Sequence, residues 1–262
     1  MKLPIYQIDA FAEKTFGGNP AAVCPLETWL PDETMQSIAQ ENNLSETAFF
    51  VPTGQGFHIR WFTPVAEVDL CGHATLASAY VIFTMLGYKE KEIRFESKSG
   101  LLKVTNSNDL MIMDFPSQIP VKCDLPEDIA QAFNTTPVEC LKAEDYIVVF
   151  DSEEEVRSAQ PTLAALENID LRGVVITARS NEYDFVSRFF APKFGIDEDP
   201  VTGSAHTQLV PYWSSVLGKT KLHAKQISNR GGVLFCELAE NRVFIAGKAI
   251  KYLSGEIEIK VS

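Results

Sequence analysis

The chain has 262 residues, 45% of them hydrophobic and 22% charged, the balance of a globular protein with one large domain or two of medium size. A formal net charge of −12 argues against nucleic-acid binding, because phosphate contacts need a basic surface. The five cysteines (Cys24, Cys71, Cys123, Cys140 and Cys236) are scattered with no CxxC spacing. They read as reduced thiols of a cytoplasmic protein, not as a disulfide framework or zinc site. The start, "MKLPIYQIDAF", lacks the apolar run of a signal peptide, and no segment approaches the roughly 18–20 apolar residues of a membrane span. The expectation is a soluble, intracellular protein with no membrane partner.

In chain order, "KLPIYQIDAF" (2–11) alternates as a strand does and leads into a glycine-rich turn, "FGGNP" (16–20), then the apolar "AAVC". Pro31 and Asp32 open a helix to about Asn42, with Asp32 placed to cap it. "ETAFFV" (46–51) and "FHIRWF" (57–62) read as strands. His73 to Leu86 is apolar on every side, which predicts a helix enclosed by protein, ended by Gly87. Three strands follow, "EIRFES", "LLKVTN" and "LMIMDF", and Pro116 and Pro120 mark a change of unit. Beyond them, helices are expected at 125–133 and 152–159, the second with Ser152 and Glu155 in capping-box spacing. Strands are expected at 145–150, 173–178 and 184–191. A helix from Gly203 to Leu217 follows, bent or interrupted by Pro211, and strands run from there to the C-terminus.

The order of motifs repeats. "RWFTP" (60–64) precedes Gly72-His73-Ala74, and "RFFAP" (188–192) precedes Gly203-Ser204-Ala205. Each half reads strand, Arg-aromatic-Phe, proline, acidic loop, glycine, apolar helix, which predicts two similar half-domains. Their expected spans are 1–116, with the C-terminal strand at 250–262 returning to it, and 117–249. A helix start carries unpaired amides and about half a positive charge, and glycine there allows close approach. If the two heads share a cleft, they would hold a carboxylate, each contributing about 0.3–1 kcal/mol. Tight strand-to-helix turns with no ligand are the alternative reading of the same glycines.

Five side chains could carry chemistry. Glu46, in "NNLSETAFF", is flanked by apolar residues; partial burial would suit it to proton transfer, whereas a solvated strand-start acid would not need it. His73 lies in a first helical turn, where the helix field favours the neutral ring. It either meets a ligand or fills space. Asp199, in "DEDPVTGS", reads as a solvated loop acid or as the partner of a ligand ammonium or hydroxyl. Ser204 stands where His73 stands in the first half, and Cys71 is a packing residue or a nucleophile. Trp61, Phe62, Phe189 and Phe190 suit either core or ring-stacking walls.

The stretches "GGNPAAV" (17–23), "NNLSETAF" (42–49), "DLCGHATLASA" (69–79), "APKFGIDEDP" (191–200) and "DEDPVTGSAH" (197–206) together resemble the phenazine-biosynthesis isomerase (PhzF-like) family. The resemblance implies an α+β fold like that of diaminopimelate epimerase: two pseudo-symmetric halves, each a curved, mostly antiparallel sheet around a central helix. It also implies a cofactor-independent isomerase of small carboxylate-bearing, amino-acid-like substrates. In the phenazine enzyme a glutamate takes a proton from a ring carbon of dihydro-hydroxyanthranilate and returns it elsewhere; Glu46 matches it. His73, Asp199 and Ser204 match ligand-holding residues, and Gly72 and Gly203 match amide donors. No metal or organic cofactor is implied, and the resemblance is compatible with a homodimer. Epimerases of this fold place a cysteine before each glycine. Here Cys71 precedes Gly72 but Thr202 precedes Gly203, which disfavours two-thiol racemisation. A Cys71-dependent epimerase or dehydratase and a binding protein without turnover remain the alternatives.

Overall fold

In the computed structural model, residues 1–133 and 136–260 are described. They form two units, one running from Met1 to Asp114 and taking back the C-terminal segment from Ala246, the other from Phe115 to Ile245. In the first, β1 (Lys2–Ala10) is antiparallel to β2 (Asn19–Pro25). The turn between them demands Gly18. Its φ is +68°, and a Cβ there would sit 2.2 Å from the Ala10 carbonyl oxygen.

Next, β2 runs parallel to β3 (Glu46–Thr53), so the chain must cross over, and α1 (Asp32–Asn42) makes the crossing. Asp32 does not cap α1 as expected. Pro31 takes the N-cap position, and the Asp32 carboxylate instead accepts a 2.8 Å bond from Arg60. β3 then pairs antiparallel with β4 (Gly56–Phe62). β4 pairs antiparallel with the short β5 (Glu67–Val68) and parallel with β6 (Glu92–Ser97).

The crossover to β6 is α2 (Gly72–Tyr80), whose residues from His73 to Ala79 are all buried. The expected helix to Leu86 changes winding on the way. Val81–Met85 is a π-turn, with the Leu86 amide bonded to the Val81 carbonyl five residues back. β7 (Gly100–Ser107) and β8 (Leu110–Pro116) continue as antiparallel hairpins.

The second unit opens with β9 (Val121–Lys122), α3 (Glu127–Ala132), β10 (Glu139–Lys142) and β11 (Tyr146–Val149). It continues with α4 (Glu153–Ser158), α5 (Leu163–Leu166), β12 (Val174–Arg179), β13 (Phe185–Ala191) and β14 (Ile196–Asp199). The Ser152–Glu155 capping box forms at the start of α4. After the central α6 (Gly203–Leu217) come β15 (Lys221–Gln226), β16 (Gly232–Ala239) and β17 (Arg242–Gly247). The final strand, β18 (Ala249–Glu258), returns to pair with β1 in the first unit. Residues 261 and 262, included in the expected last strand, lie outside the described residues.

The repeat is visible strand by strand. From β2 to β7 the successive pairings are parallel, antiparallel, antiparallel, parallel, antiparallel, with α2 inserted after β5. From β11 to β16 the same order recurs with α6 after β14. Each unit is therefore an α+β structure with a curved, mostly antiparallel sheet about a buried helix. The Arg-aromatic-Phe motif has one role in both. Arg60 grips Glu67 of the next strand at 2.8 and 2.9 Å, and Arg188 grips Glu198 at 2.7 and 2.9 Å. Each guanidinium also lies over the phenylalanine two residues on, 5.1 Å from Phe62 and 5.0 Å from Phe190. Trp61, Phe62, Phe189 and Phe190 are at most 3% exposed and belong to the core.

Pro211 interrupts hydrogen bonding in α6 without ending the helix, which runs on to Leu217 and closes on Gly218 in the left-handed conformation. The missing amide at position 211 would have served the Thr207 carbonyl. That oxygen accepts the Gln118 amide instead, at 3.1 Å. Among the described residues no helix is long and apolar enough to cross a membrane.

Candidate active site

In the first unit, two strand starts and a helix head deliver a cluster around one imidazole. Glu46 opens β3, directly beside Ala21 of β2, and Asn19 opens β2. His73 is the second residue of α2. Its Nε2 lies 3.1 Å from Glu46 Oε2, with the Glu46 side chain 12% exposed and the imidazole 7%. Nδ1 faces Asn19 Nδ2 at 3.2 Å and the Cys71 sulfur at 3.6 Å. The Glu46–His73 contact is an ion-pair contact out of line for a directed hydrogen bond, so neither Oε2 nor Nε2 is saturated.

Electrostatics in this cluster run against one sequence expectation. The neutral ring was expected for His73 from the helix field. Instead, although burial opposes a charged ring, the contact with the Cys71 sulfur and the Glu46 carboxylate beside it carry its pKa well above the ordinary imidazole value. Cys71 moves the other way for a nucleophile: burial, then the Glu46 charge, push its thiol up to about 11, so it stays protonated at neutral pH.

In the second unit, α6 begins with Gly203 and Ser204. Asp199, read from the sequence either as a solvated loop acid or as a ligand partner, is not solvated: it is buried at the end of β14 and accepts the Thr202 hydroxyl at 2.5 Å. Gln226 ties this corner from β15, accepting from the Thr202 amide at 2.8 Å and donating to the Asp199 carbonyl at 2.7 Å. Ser204 Oγ accepts a 3.0 Å bond from Arg172. Arg172 is itself held by the fully buried Asp145 at 2.8 and 2.6 Å, and Gln208 braces that carboxylate at 2.7 Å. His206, also in α6, is neutral: burial lowers it to about 4, and its Nδ1 bonds the Thr202 carbonyl at 2.8 Å.

The two helix heads match in detail. The N-cap residues, Cys71 and Thr202, are extended and give no side-chain cap, and neither first turn contains an acid. The fourth residue from each N-cap closes back on the N-cap carbonyl, Thr75 through its hydroxyl at 2.6 Å and His206 through its ring. Gly72 and Gly203 therefore sit at uncapped amide ends, the arrangement that attracts an anion.

Of the residues singled out in the sequence, the structure brings Glu46, Gly72, His73 and Cys71 together in the first unit, and Asp199, Gly203 and Ser204 together in the second. Sequence reasoning missed Asn19, Arg172, Asp145 and Gln226. Asn19 lay in plain view inside "GGNP" but was read as turn; the other three carry no local signal.

Donor atoms of Glu46, Cys71 and His73 lie within 4.8 Å of one another, a spacing that an ion could bridge. The thiol and the carboxylate address different ring nitrogens, however, while a bound ion takes one. Asn19 also covers Nδ1, and the thiol keeps its proton. The set fits acid–base work better than metal coordination.

The model for phenazine biosynthesis-like proteins matches residues 8–255. The chain belongs to the PhzF-like family. It is 50% identical over 259 residues to an uncharacterized isomerase of Pseudomonas aeruginosa, covering 99% of this chain and all of that one. A crystal structure of a PhzF-family phenazine biosynthesis protein from Enterococcus faecalis superposes with a TM-score of 0.97 at 48% identity, over 99% of this chain and all of that one. A hydroxyproline epimerase from Agrobacterium vitis shares the fold alone, with a TM-score of 0.61 at 10% identity, over 98% of this chain and 92% of that one. This PhzF-like chain is thus a member of an isomerase family with the diaminopimelate epimerase-like fold.

Proposed function

We propose that this protein is a cofactor-independent isomerase that shifts a proton on a small, carboxylate-bearing, amino-acid-like substrate, with Glu46 as base and then acid. The observation that carries the reading is the Glu46–His73 pair. It is a carboxylate and an imidazole 3.1 Å apart, nearly enclosed and out of line for a bond to each other. Glu46 takes a proton from a carbon made acidic by an adjacent unsaturated or carboxylate-bearing group. The electron pair moves along the substrate, and Glu46, whose proton exchanges with solvent, returns a proton at another carbon, so the formula is conserved. His73 holds a substrate oxygen through Nε2 and keeps the carboxyl of Glu46 in place. In the first unit the Gly72 amide is a substrate-binding group beside that pair; Gly203, Ser204 and Asp199 are the substrate-binding candidates of the second unit.

A Cys71 thiol base is disfavoured by its burial and raised pKa. The test begins with a thermal-shift screen of amino-acid-like carboxylates, followed by NMR of each stabilising compound in deuterated water. Wild-type protein should introduce deuterium into the compound. Glu46→Gln should still bind it and lose about 10²–10⁴ in exchange rate, the range of general acid–base catalysis. Exchange that survives in Glu46→Gln but vanishes in Cys71→Ser would transfer the chemistry to the thiol.

A further inference from the structure

The second unit holds a pair of thiols outside that chemistry. The antiparallel register of β9 and β10 sets Lys122 against Leu141 and Val121 against Lys142, so the next opposed pair is Cys123 and Cys140. The Cys123 amide bonds the Cys140 carbonyl at 3.0 Å, and the two sulfurs touch at 3.7 Å. Cys140 is buried in the core of this unit, while Cys123 is partly buried at its margin. Cys24, Cys71 and Cys236 are all buried.

We infer that Cys123 and Cys140 form a thiol–disulfide exchange site, oxidised to a cross-strand disulfide by low-molecular-weight disulfides. Three observations support it. Directly opposed antiparallel residues have Cα atoms about 4.5–5.5 Å apart, within the roughly 4.4–6.8 Å that a disulfide spans, so the backbone need not move. The sulfurs already face each other, and side-chain rotation closes the remaining gap. Exposure is unequal, with Cys123 only partly buried at the margin of the core and Cys140 buried within it.

The chemistry balances. The Cys123 thiolate attacks one sulfur of the external disulfide, and the first small thiolate leaves and takes up a proton. Burial pushes the Cys140 thiol up to about 12, so this second step is the slow one: Cys140 loses its proton as it attacks the Cys123 sulfur of the mixed disulfide, and the second small thiolate leaves and takes up a proton. Two protein thiols are oxidised, one external disulfide is reduced to two thiols, and a loop containing α3 is closed. The bond would fasten the two-residue β9 to β10, next to Glu139, which accepts the Tyr212 hydroxyl of α6 at 2.9 Å.

The folded full-length protein is incubated with oxidised glutathione, its free thiols are trapped by alkylation before unfolding, and the product is read by intact mass and peptide mapping. Wild type should lose two hydrogens and yield one linked peptide joining Cys123 to Cys140, reversed by dithiothreitol. Its melting temperature should rise by about 5 °C or more, because the link restrains the unfolded chain. Cys140→Ser should stop at one glutathione on Cys123, with Cys140→Ala as the alternative should the serine disturb the core. Cys123→Ser should give neither product. A lasting glutathione adduct on Cys123 in wild type, no mass change, or a link to another cysteine each overturns the inference.

Discussion

The Asn19 amide nitrogen lies 3.2 Å from His73 Nδ1, joining residues 54 apart in the chain. Only in the neutral form of the ring can that amide donate to Nδ1, with the ring hydrogen on Nε2 facing Glu46, whereas the raised pKa of the ring favours the charged form. One neighbour thereby sets the direction in which the other can exchange a proton. A second proton on the ring would require the Asn19 amide to turn and offer its oxygen.

His73 should titrate above the ordinary value of about 6.5. A raised folded-state value means that its contribution to stability is complete below about pH 6.5 and is lost as the pH rises through the folded value. NMR of the ring Cε1–H follows this directly. Glu46→Gln should bring the titration down; an unchanged midpoint would show that the carboxylate is not the cause.

The Arg60–Glu67 fork gives the opposite dependence. Hydrogen bonding to Arg60, against the cost of burial and with help from Lys98, holds Glu67 down at about 2. A depressed value stabilises fully above about pH 4.5 and loses that contribution as pH falls toward 2. Glu67→Gln should flatten the acid limb of a stability–pH curve and lower the plateau at neutral pH, as read by urea unfolding.

Arg188 is harder to replace than Arg60. Besides Glu198, its guanidinium serves the carbonyls of Val156, Arg157 and Ala159, at 3.1, 3.4 and 2.7 Å. Arg188→Leu strands all four acceptors and should cost about 3–5 kcal/mol, the range for breaking a buried ion pair. Arg188→Lys should recover little, because a single ammonium cannot reproduce the fork. Denaturant midpoints for the two variants, set beside Arg60→Leu, give the comparison.

Gly18→Ala should destabilise the first unit by about 1–3 kcal/mol from backbone strain alone, before the clash with the Ala10 carbonyl is counted. Gly54 is a suitable control. Nothing lies within 4 Å of its would-be Cβ, so Gly54→Ala should change stability by less than about 0.5 kcal/mol.

The repeat was legible because "RWFTP" and "RFFAP" each encode a local device: an arginine that reaches one strand over and a phenylalanine that lies beneath it. The two helix heads were legible because Gly72 and Gly203 each stand immediately before a long, mostly apolar run. What stayed hidden was set by register between distant strands. Asn19 reaches His73 because α2 packs against β2, Glu46 joins them because β3 lies beside β2, and Gln226 reaches Thr202 because β15 lies beside β13. The charge state of His73 misled for a related reason: a helix field can be read from position, but an acid delivered from another strand cannot. The π-turn after Tyr80 likewise has no marker in an unbroken apolar run.

The acceptor that Pro211 leaves open on Thr207 has a dynamic consequence. Since the Gln118 amide occupies it, the middle of α6 cannot loosen at that carbonyl without releasing the segment that leads into β9. Local breathing of the helix and detachment of that leading segment become a single event. The Gln118 amide would then exchange with solvent on the timescale of the buried helix and not on that of the connecting segment it occupies.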